Sequence, residues 1–164
     1  MRILVLSDSH AGLSFMRQCM KSVKPDCVIH LGDFYEDGRV LWEENPGLPF
    51  YQVPGNCDRY RCPEGLHESM CLTVGGVWVF MTHGHRQHVK SGLGELLAQA
   101  RVSGAQVVLY GHTHRADCRC QDGLWILNPG SCGSWSGTAG VLEIENKVVT
   151  GCRIISQEDL EDSL

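Results

Sequence analysis

The stretch of sequence between residues 3 and 10 reads ILVLSDSH. Its short apolar run, which is partly β-branched, predicts a buried β-strand, and Asp8 and His10 follow this strand directly. Four later apolar runs lead in the same way to polar groups: 28–31 to Gly32-Asp33, 50–53 to Gly55-Asn56-Cys57-Asp58, 77–81 to His83-Gly84-His85, and 107–110 to Gly111-His112-Thr113-His114. Because the carboxyl ends of parallel strands meet at one edge of an open α/β sheet, we expect these polar groups to converge there.

Asp, Asn and His are metal-ligating residue types, and their spacing here favours that role. Residues i and i+2 of an extended chain point to the same side, so Asp8 with His10, and His112 with His114, can each direct two ligands at one place. Carboxylate and imidazole groups together suit Mn, Fe, Zn, Co or Ni better than Ca. The five motifs therefore predict a transition-metal site. His30 lies inside an apolar run and is instead expected to be a hydrogen-bonded core residue.

Strands and helices alternate in the first half of the chain. Helical patterns at 13–23 and 40–44 lie between the first three apolar runs, which predicts βαβ units and a parallel sheet. In the second half, pairs of strand-like runs flank three turn signals, Gly75-Gly76, Asp122-Gly123 and Asn146-Lys147. A further helix is predicted at 93–102. We therefore expect an α/β fold, a four-layer α/β/β/α sandwich of two mixed sheets flanked by helices.

The chain has 164 residues, of which 43% are hydrophobic and 20% are charged. This composition indicates one globular domain, which we place at residues 1–155, followed by an acidic, frayed tail at 156–164. The formal net charge of −5 and the absence of a basic stripe argue against a dedicated nucleic-acid-binding surface. No apolar run is long enough to cross a membrane, and the N-terminal run is too short for a signal peptide, so a cytoplasmic location is expected.

The nine cysteines are a high and odd number, and an odd number cannot be fully paired within one chain. In a cytoplasmic protein most of them are expected to be reduced thiols. Cys118 and Cys120 have C-x-C spacing, but a second pair with the spacing of a structural zinc site is missing. A redox or metal-storage protein is therefore a hypothesis that rests on the cysteine count alone.

The order of the five motifs, D-x-H, G-D, G-N-x-D, H-G-H and G-H-x-H, resembles that of the calcineurin-like metallophosphoesterases. Cys57 and the segment 128–131, Asn-Pro-Gly-Ser, resemble the small YfcE-type branch of this family. The resemblance implies a two-metal phosphoesterase, and within that class a phosphodiesterase, in which a hydroxide that bridges two divalent ions attacks phosphorus. Mn²⁺ is the first expectation for both ions, with Ni²⁺, Co²⁺, Fe²⁺ and Zn²⁺ as alternatives.

The resemblance also implies a role for each motif residue. One metal would be held by Asp8, His10, Asp33 and His114. The other would be held by Asp33, Asn56, His83 and His112, so that Asp33 bridges the two ions. Asp58 would fix its neighbours by hydrogen bonds. Separately, the turn-forming residues at 128–131 predict a turn that packs near the site.

Position 57 departs from the wider family, many members of which have His there. That His is thought to stabilise the transition state or to protonate the leaving group. A thiol is a weaker donor and a less suitable acid, so Cys57 is either a poor participant or a packing residue, and His85 is the nearest alternative acid. Arg59 and Arg86 follow two of the motifs and either contact phosphate or are solvated. The candidate catalytic residues are Asp33, Asn56, Cys57, Asp58 and His85.

The expected substrate is a small phosphate ester, and a homo-oligomer is an open alternative to a monomer. The main alternative function is a non-catalytic, protein-binding scaffold of the same fold, because one retromer subunit resembles this family and works mainly by binding proteins. That subunit has Asn in place of the bridging Asp. In this chain Asp33 and Asn56 both match the active pattern, which favours an enzyme.

Overall fold

The computed structural model describes residues 1–133 and 137–161 of the chain. Numbered in chain order, its strands are β1 (Arg2–Leu6), β2 (Cys27–His30), β3 (Phe50–Gln52), β4 (Ser69–Val74), β5 (Val77–Thr82), β6 (Val107–Leu109), β7 (Asp117–Gln121), β8 (Leu124–Asn128), β9 (Thr138–Glu145) and β10 (Val148–Ser156). Its α-helices are α1 (Leu13–Val23), α2 (Tyr35–Glu44), α3 (Gly94–Val102) and α4 (Gln157–Glu161). None of these helices is long and apolar enough to span a bilayer.

The strands form two five-stranded sheets, both of which are mixed. The order in the first sheet is β10-β9-β1-β2-β3, in which β1, β2 and β3 are parallel and β9 is antiparallel to β1 and β10. The order in the second is β4-β5-β6-β8-β7, in which β5, β6 and β8 are parallel and β4 and β7 are antiparallel to their neighbours. The predicted parallel units and the three predicted antiparallel pairs are therefore confirmed.

The two sheets pack face to face, and the alternation of side chains along β1 shows how. Ile3 and Val5 belong to the apolar core between the sheets, together with residues of β5 and β6. Leu4 and Leu6 point the other way and pack with Phe15 of α1. A third apolar cluster joins α3 to the outer face of the second sheet. Because helices cover both outer faces, the predicted four-layer α/β/β/α sandwich is confirmed.

Helix α2 begins earlier than predicted, at Tyr35 instead of Val40. Its first turn carries Glu36, where a negative charge interacts favourably with the helix dipole. This turn has no clear helical signal in the sequence because it contains Gly38, a poor helix former. In the structure an added Cβ at Gly38 would meet the end of the Gln52 side chain of β3, so the helix packs closely on the sheet at this position.

The segment after β10 is more ordered than the predicted frayed tail. Residues 157–161 form α4, and the Leu160 side chain is only 7% exposed, in the apolar cluster that also contains α1 residues. The Ser156 backbone N–H donates a hydrogen bond of 2.7 Å to Asp159 Oδ2, which stabilises the start of the helix. Residues 162–164 of the tail lie outside the described part of the chain, and the domain boundary at residue 155 stays a prediction.

Seven of the nine cysteines are free thiols, in agreement with the expectation that most are reduced. Cys118 on β7 and Cys152 on β10 form a disulfide, which joins edge strands of the two sheets. Cys120 is an exposed free thiol. The C-x-C pair is therefore divided between a disulfide and a solvent-facing residue.

Candidate metal centre

The five motifs lie after the carboxyl ends of five strands that belong to both sheets. The first sheet supplies Asp8 and His10 after β1, Asp33 after β2 and Asn56 after β3, and the second supplies His83 after β5 and His112 and His114 after β6. These side chains converge as expected, but they do so at a different place from the one expected. The ligand types meet where two sheets face each other, and not along the edge of one sheet.

Five of the seven candidate ligands have a left-handed backbone conformation, which seven other described non-glycine residues share. Left-handed φ angles occur at Asp8 (+52°), His10 (+41°), Asp33 (+56°), His112 (+67°) and His114 (+58°). Such a conformation costs a non-glycine residue roughly 1–3 kcal/mol and is concentrated at functional sites. The surrounding structure therefore holds these five residues in a backbone conformation that is unfavourable on its own.

Two glycines allow the backbone to pass directly behind the carboxylates. An added Cβ at Gly55 would collide with the Asp33 carboxylate. An added Cβ at Gly111 would collide with Ser7 Oγ and the Asp8 carboxylate. Any side chain at these two positions would displace a candidate ligand.

Asp8, His10, Asp33 and His114 form a first cluster, in which one ligand atom from each residue lies within 4.8 Å of all the others. His114 Nε2 is 3.0 Å from Asp8 Oδ1, and His10 Nε2 is 3.9 Å from Asp33 Oδ2. Asp8 Oδ1 and His10 Nε2 are buried and lack a hydrogen-bond partner among the described residues. Buried polar atoms without a partner are costly, so their presence in this cluster fits a cation.

Asn56, His83 and His112 form a second cluster with Asp33. His83 Nδ1 donates a hydrogen bond of 2.8 Å to the Leu31 carbonyl oxygen, which directs His83 Nε2 into the cluster. This Nε2 faces Asn56 Oδ1 at 3.1 Å, His112 Nδ1 at 3.2 Å and Asp33 Oδ2 at 3.6 Å. Lone pairs that converge in this way repel one another unless a cation or a proton lies between them. The second cluster therefore also fits a divalent ion.

Neutral imidazoles and an ionised carboxylate are the protonation states that metal binding needs. Burial, together with His83, lowers the pKa of His112 to about 4, so this imidazole is neutral at neutral pH. Burial acts to raise the pKa of Asp33, but His83 and the Cys57 N–H outweigh it and hold that pKa below its ordinary value. Both groups are therefore ready to act as ligands without losing a proton.

Asp58 contacts the backbone and not the two clusters. Its buried carboxylate accepts hydrogen bonds from Tyr35 N at 2.8 Å and from Gly55 N at 2.7 Å. It therefore ties the turn that carries Asn56 to the start of α2. This agrees with the orienting role that the family resemblance implied for Asp58.

Three polar side chains hold the candidate ligands from outside the five motifs. Ser7 Oγ donates to Asp8 Oδ2 at 2.5 Å, and Ser131 Oγ donates to the Asp8 carbonyl at 2.8 Å. Asn128 Nδ2 donates to the Gly111 carbonyl at 3.1 Å. The turn at 128–131 was expected near the site, and the structure places it there. Ser7 was missed, because a serine at the end of a strand gives no distinct sequence signal.

Cys57 and His85 lie beside the clusters. The Cys57 N–H donates to Asp33 Oδ1 at 2.9 Å, and burial, with the Asp33 charge, raises the pKa of the thiol, which stays protonated. The His85 side chain is 18% exposed, and its Nε2 lies 4.0 Å from Glu68 Oε1. Burial, followed by His83, lowers the pKa of His85.

One groove includes a candidate ligand in its lining, and a second is lined by residues that neighbour His112 and His114 in the sequence. The Arg59 groove, of about 480 Å³, is lined by Asn56, Arg59 and His85 among others. The Lys90 groove, of about 530 Å³, is lined by Lys90 and Thr113 among others. Arg86, one of the two arginines considered for phosphate contact, also lines the Arg59 groove but is held by Glu68 through hydrogen bonds of 2.6 Å and 3.0 Å.

His30 is fully buried, as expected for a core residue. Its ring nitrogens lie 3.3 Å from Ser9 Oγ and 3.3 Å from the Gly32 N–H. Burial lowers its pKa to about 4, and the nearby Asp58 and Asp8 oppose this shift only partly. His30 therefore supports the strand from which Asp33 emerges and is not one of the converging ligands.

Comparison with known proteins places this arrangement in a family. The calcineurin-like phosphoesterase superfamily domain matches residues 1–147. The probable metallophosphoesterase YsnB of Bacillus subtilis is 32% identical over 134 residues, which are 80% of this chain and 75% of YsnB. The phosphodiesterase MJ0936 of Methanocaldococcus jannaschii is 31% identical over 165 residues, which are 90% of this chain and 95% of MJ0936.

Solved structures show the same relationship. An archaeal phosphodiesterase superposes with a TM-score of 0.74 at 28% identity, over 95% of this chain and 99% of that one. Vps29 of Entamoeba histolytica, solved with Zn²⁺, superposes with a TM-score of 0.68 at 20% identity, over 95% and 99% of the two chains, which is a likeness of fold alone. Because the family match spans all five motifs and the sequence relatives cover most of the chain, this chain belongs to the calcineurin-like phosphoesterase superfamily.

Proposed function

We propose that this chain is a phosphodiesterase that uses two divalent metal ions. The observation that carries the proposal is the position of Asp33 Oδ2, which lies 3.9 Å from His10 Nε2 and 3.6 Å from His83 Nε2. One carboxylate oxygen therefore faces both ligand clusters. In two-metal hydrolytic sites the ions lie about 3.5–4 Å apart, which favours a ligand that both can share.

Each ion would have four ligands from the chain. Asp8, His10, Asp33 and His114 would hold one ion, and Asp33, Asn56, His83 and His112 would hold the other. The bound pair would supply an acidified water as the nucleophile and positive charge that stabilises the phosphoryl oxygens. Mixed nitrogen and oxygen ligands favour Mn²⁺ as the first candidate, and Ni²⁺, Co²⁺, Fe²⁺ and Zn²⁺ share the preference for such a site.

A diester fits the surroundings of the centre better than a monoester. The Arg59 groove and the Lys90 groove have no lining residue in common, so a phosphate bound at the clusters would have room for organic groups in two directions. Their volumes, about 480 Å³ and about 530 Å³, lie in the range of small-molecule pockets. The names of MJ0936 and of the archaeal structure as phosphodiesterases support the same substrate class.

Cys57 and His85 are the chain's candidates for contact with the leaving group. Cys57 presents a protonated thiol, which is a weak donor, so we assign it little part in protonating the leaving group. His85 borders the Arg59 groove beside Asn56. Its Nδ1 is buried and has no hydrogen-bond partner among the described residues.

A protein-binding scaffold is the second candidate, because Vps29 has the same fold. Metal binding alone does not separate the two functions, since that Vps29 structure was itself solved with Zn²⁺. Hydrolysis of a phosphodiester does separate them, because a scaffold does not turn over substrate.

The test is hydrolysis of bis(p-nitrophenyl) phosphate by protein stripped with a chelator and then reloaded. Metal-free protein should be inactive, and Mn²⁺ should restore activity, with Co²⁺ and Ni²⁺ as further candidates. Asp122→Asn, in an exposed turn, serves as a matched control for substitutions of the carboxylates in the clusters. Full activity in protein shown by elemental analysis to contain no metal would contradict the proposal. No turnover with any of the ions would favour the scaffold.

A further inference from the structure

The Lys90 groove is lined by residues of the segments that also carry His83, His112 and His114. On one wall, Val89 packs against Gly84, which separates His83 from His85 in the sequence. The Val89 N–H also donates to the Gly84 carbonyl at 3.3 Å. The next residue, Lys90, is exposed and lines the groove. The backbone at Lys90 is therefore tied to the segment that carries His83.

The opposite wall continues from the last motif. Thr113 lies between His112 and His114, and Arg115 follows as an exposed residue. Asn128 Nδ2 donates to Thr113 Oγ1 at 3.0 Å, which fixes this part of the loop. Both walls of the groove are therefore direct extensions of segments that carry candidate metal ligands.

The groove has an apolar floor and a surplus of positive charge. Val89 and Tyr110 are buried beneath it, at 5% and 4% exposure. Asp117 also lines the groove, but it forms an ion pair with Arg119. Lys90 and Arg115 have no ion-pair partner among residues 1–133 and 137–161. Two cations are thus left without a counter-charge beside the metal centre.

The Arg59 groove has a different charge balance. Arg86 is neutralised there by Glu68, and Glu64 lines the groove together with Arg59. Acidic and basic side chains are therefore equal in number in that groove, whereas basic side chains predominate in the Lys90 groove. Of the two, the Lys90 groove is the one that attracts an additional anion.

We propose that the Lys90 groove is a subsite for a second phosphate group of the substrate, bound between Lys90 and Arg115. The inference rests on the proposed function: the substrate is a phosphodiester with an organic arm that crosses the apolar floor and ends in this phosphate. A phosphate monoester has three oxygens, which allow it to accept hydrogen bonds from an ammonium and a guanidinium together. The subsite therefore favours phosphodiesters in which the organic group that occupies this groove carries a second phosphate.

The test compares two probes that differ only in the second phosphate, thymidine 5′-monophosphate and thymidine 3′,5′-bisphosphate. Their Kd values are measured by titration calorimetry on Mn²⁺-loaded protein. We expect the bisphosphate to bind about tenfold more tightly, as charge-assisted hydrogen bonds predict. Lys90→Ala and Arg115→Ala should each remove most of this advantage and leave the affinity for the monophosphate unchanged. Lys21→Ala, at an exposed residue of α1, is the matched control and should change neither Kd.

A kinetic assay uses the p-nitrophenyl esters of the 5′-phosphates of the same two compounds as substrates. The 3′-phosphate should lower KM in the wild type and should not do so in the double variant Lys90→Ala/Arg115→Ala. Equal Kd values of the wild type for the two probes, no measurable binding of either, or an advantage that survives in the double variant would overturn the subsite. Selective binding without turnover of either ester would keep the subsite and contradict the proposed activity instead.

Discussion

At the scale of single residues, the two oxygens of the Asp33 carboxylate have different surroundings. Oδ1 accepts the Cys57 N–H at 2.9 Å, whereas Oδ2 faces both ligand clusters. The hydrogen bond that orients the candidate bridging carboxylate thus comes from the backbone of residue 57. The side chain at this position can change without loss of that bond, which explains how His in many family members and Cys in this chain are compatible with one site.

Cys57→His should therefore alter the chemistry of the leaving group and spare the metals. An imidazole can donate a proton where the Cys57 thiol donates poorly, and general acid catalysis contributes about 10²–10⁴-fold. We expect rates on alkyl phosphodiesters to rise by up to about 10²-fold, with little change for nitrophenyl esters, which need no acid. The measurement is the slope of log rate against leaving-group pKa in both proteins. Equal slopes at equal metal content would show that position 57 takes no part in this step.

At the scale of elements, local patterns predicted most of the fold. Apolar runs and two-residue turn signals identified the strands and all three antiparallel pairs, because those signals are local in the sequence. The first turn of α2 and the whole of α4 escaped prediction because tertiary packing decides them. Gly38 is helical where α2 packs closely on the Gln52 side chain of β3, and α4 is held by Leu160 in the apolar cluster that contains α1 residues.

Helix α4 should contribute measurably to stability through Leu160. Leu160→Ala removes a buried side chain and should lower the free energy of unfolding by about 2 kcal/mol, at the low end for buried leucines because a short terminal helix can relax. Glu158→Ala, at an exposed position of the same helix, should change it by less than about 0.5 kcal/mol. Chemical denaturation of both variants measures the difference. Equal stabilities of the two variants would mean that α4 does not dock in solution.

At the scale of the whole molecule, the candidate metal centre is a junction between the two sheets. His83 Nδ1 donates to the Leu31 carbonyl, and the His112 N–H donates to Asp8 Oδ2 at 3.0 Å, so each bond joins one sheet to the other. The sequence revealed the ligand types and their motifs. It did not reveal these contacts between sheets, the strained backbone or the support from Ser7, because none of them is encoded in local periodicity.

The stability of the whole chain should depend on pH in part through the buried His30. Burial lowers the pKa of His30 to about 4, whereas an unfolded histidine titrates near about 6.5. Between these values the unfolded chain binds a proton that the folded chain does not, so stability is lost as pH falls from about 6.5 to about 4. In metal-free protein, His30→Asn should reduce this loss by up to about 1.4 kcal/mol per pH unit.

Denaturation of metal-free protein at several pH values measures the effect of His30. His67→Asn, at an exposed histidine, is the control and should keep the wild-type dependence on pH. The burial argument fails if wild type and His30→Asn lose stability equally over this range.

The central claim is that Asp33 is shared by two metal ions, and metal stoichiometry tests it most directly. Native mass spectrometry of Mn²⁺-loaded protein, with elemental analysis, should give two ions per chain for the wild type and for Asp122→Asn. Asp33→Asn removes charge from both clusters and should give one ion or none, with a folded chain and at least about a 10²-fold lower rate on bis(p-nitrophenyl) phosphate. One ion per wild-type chain, or two ions and near-normal turnover in Asp33→Asn, would contradict the claim.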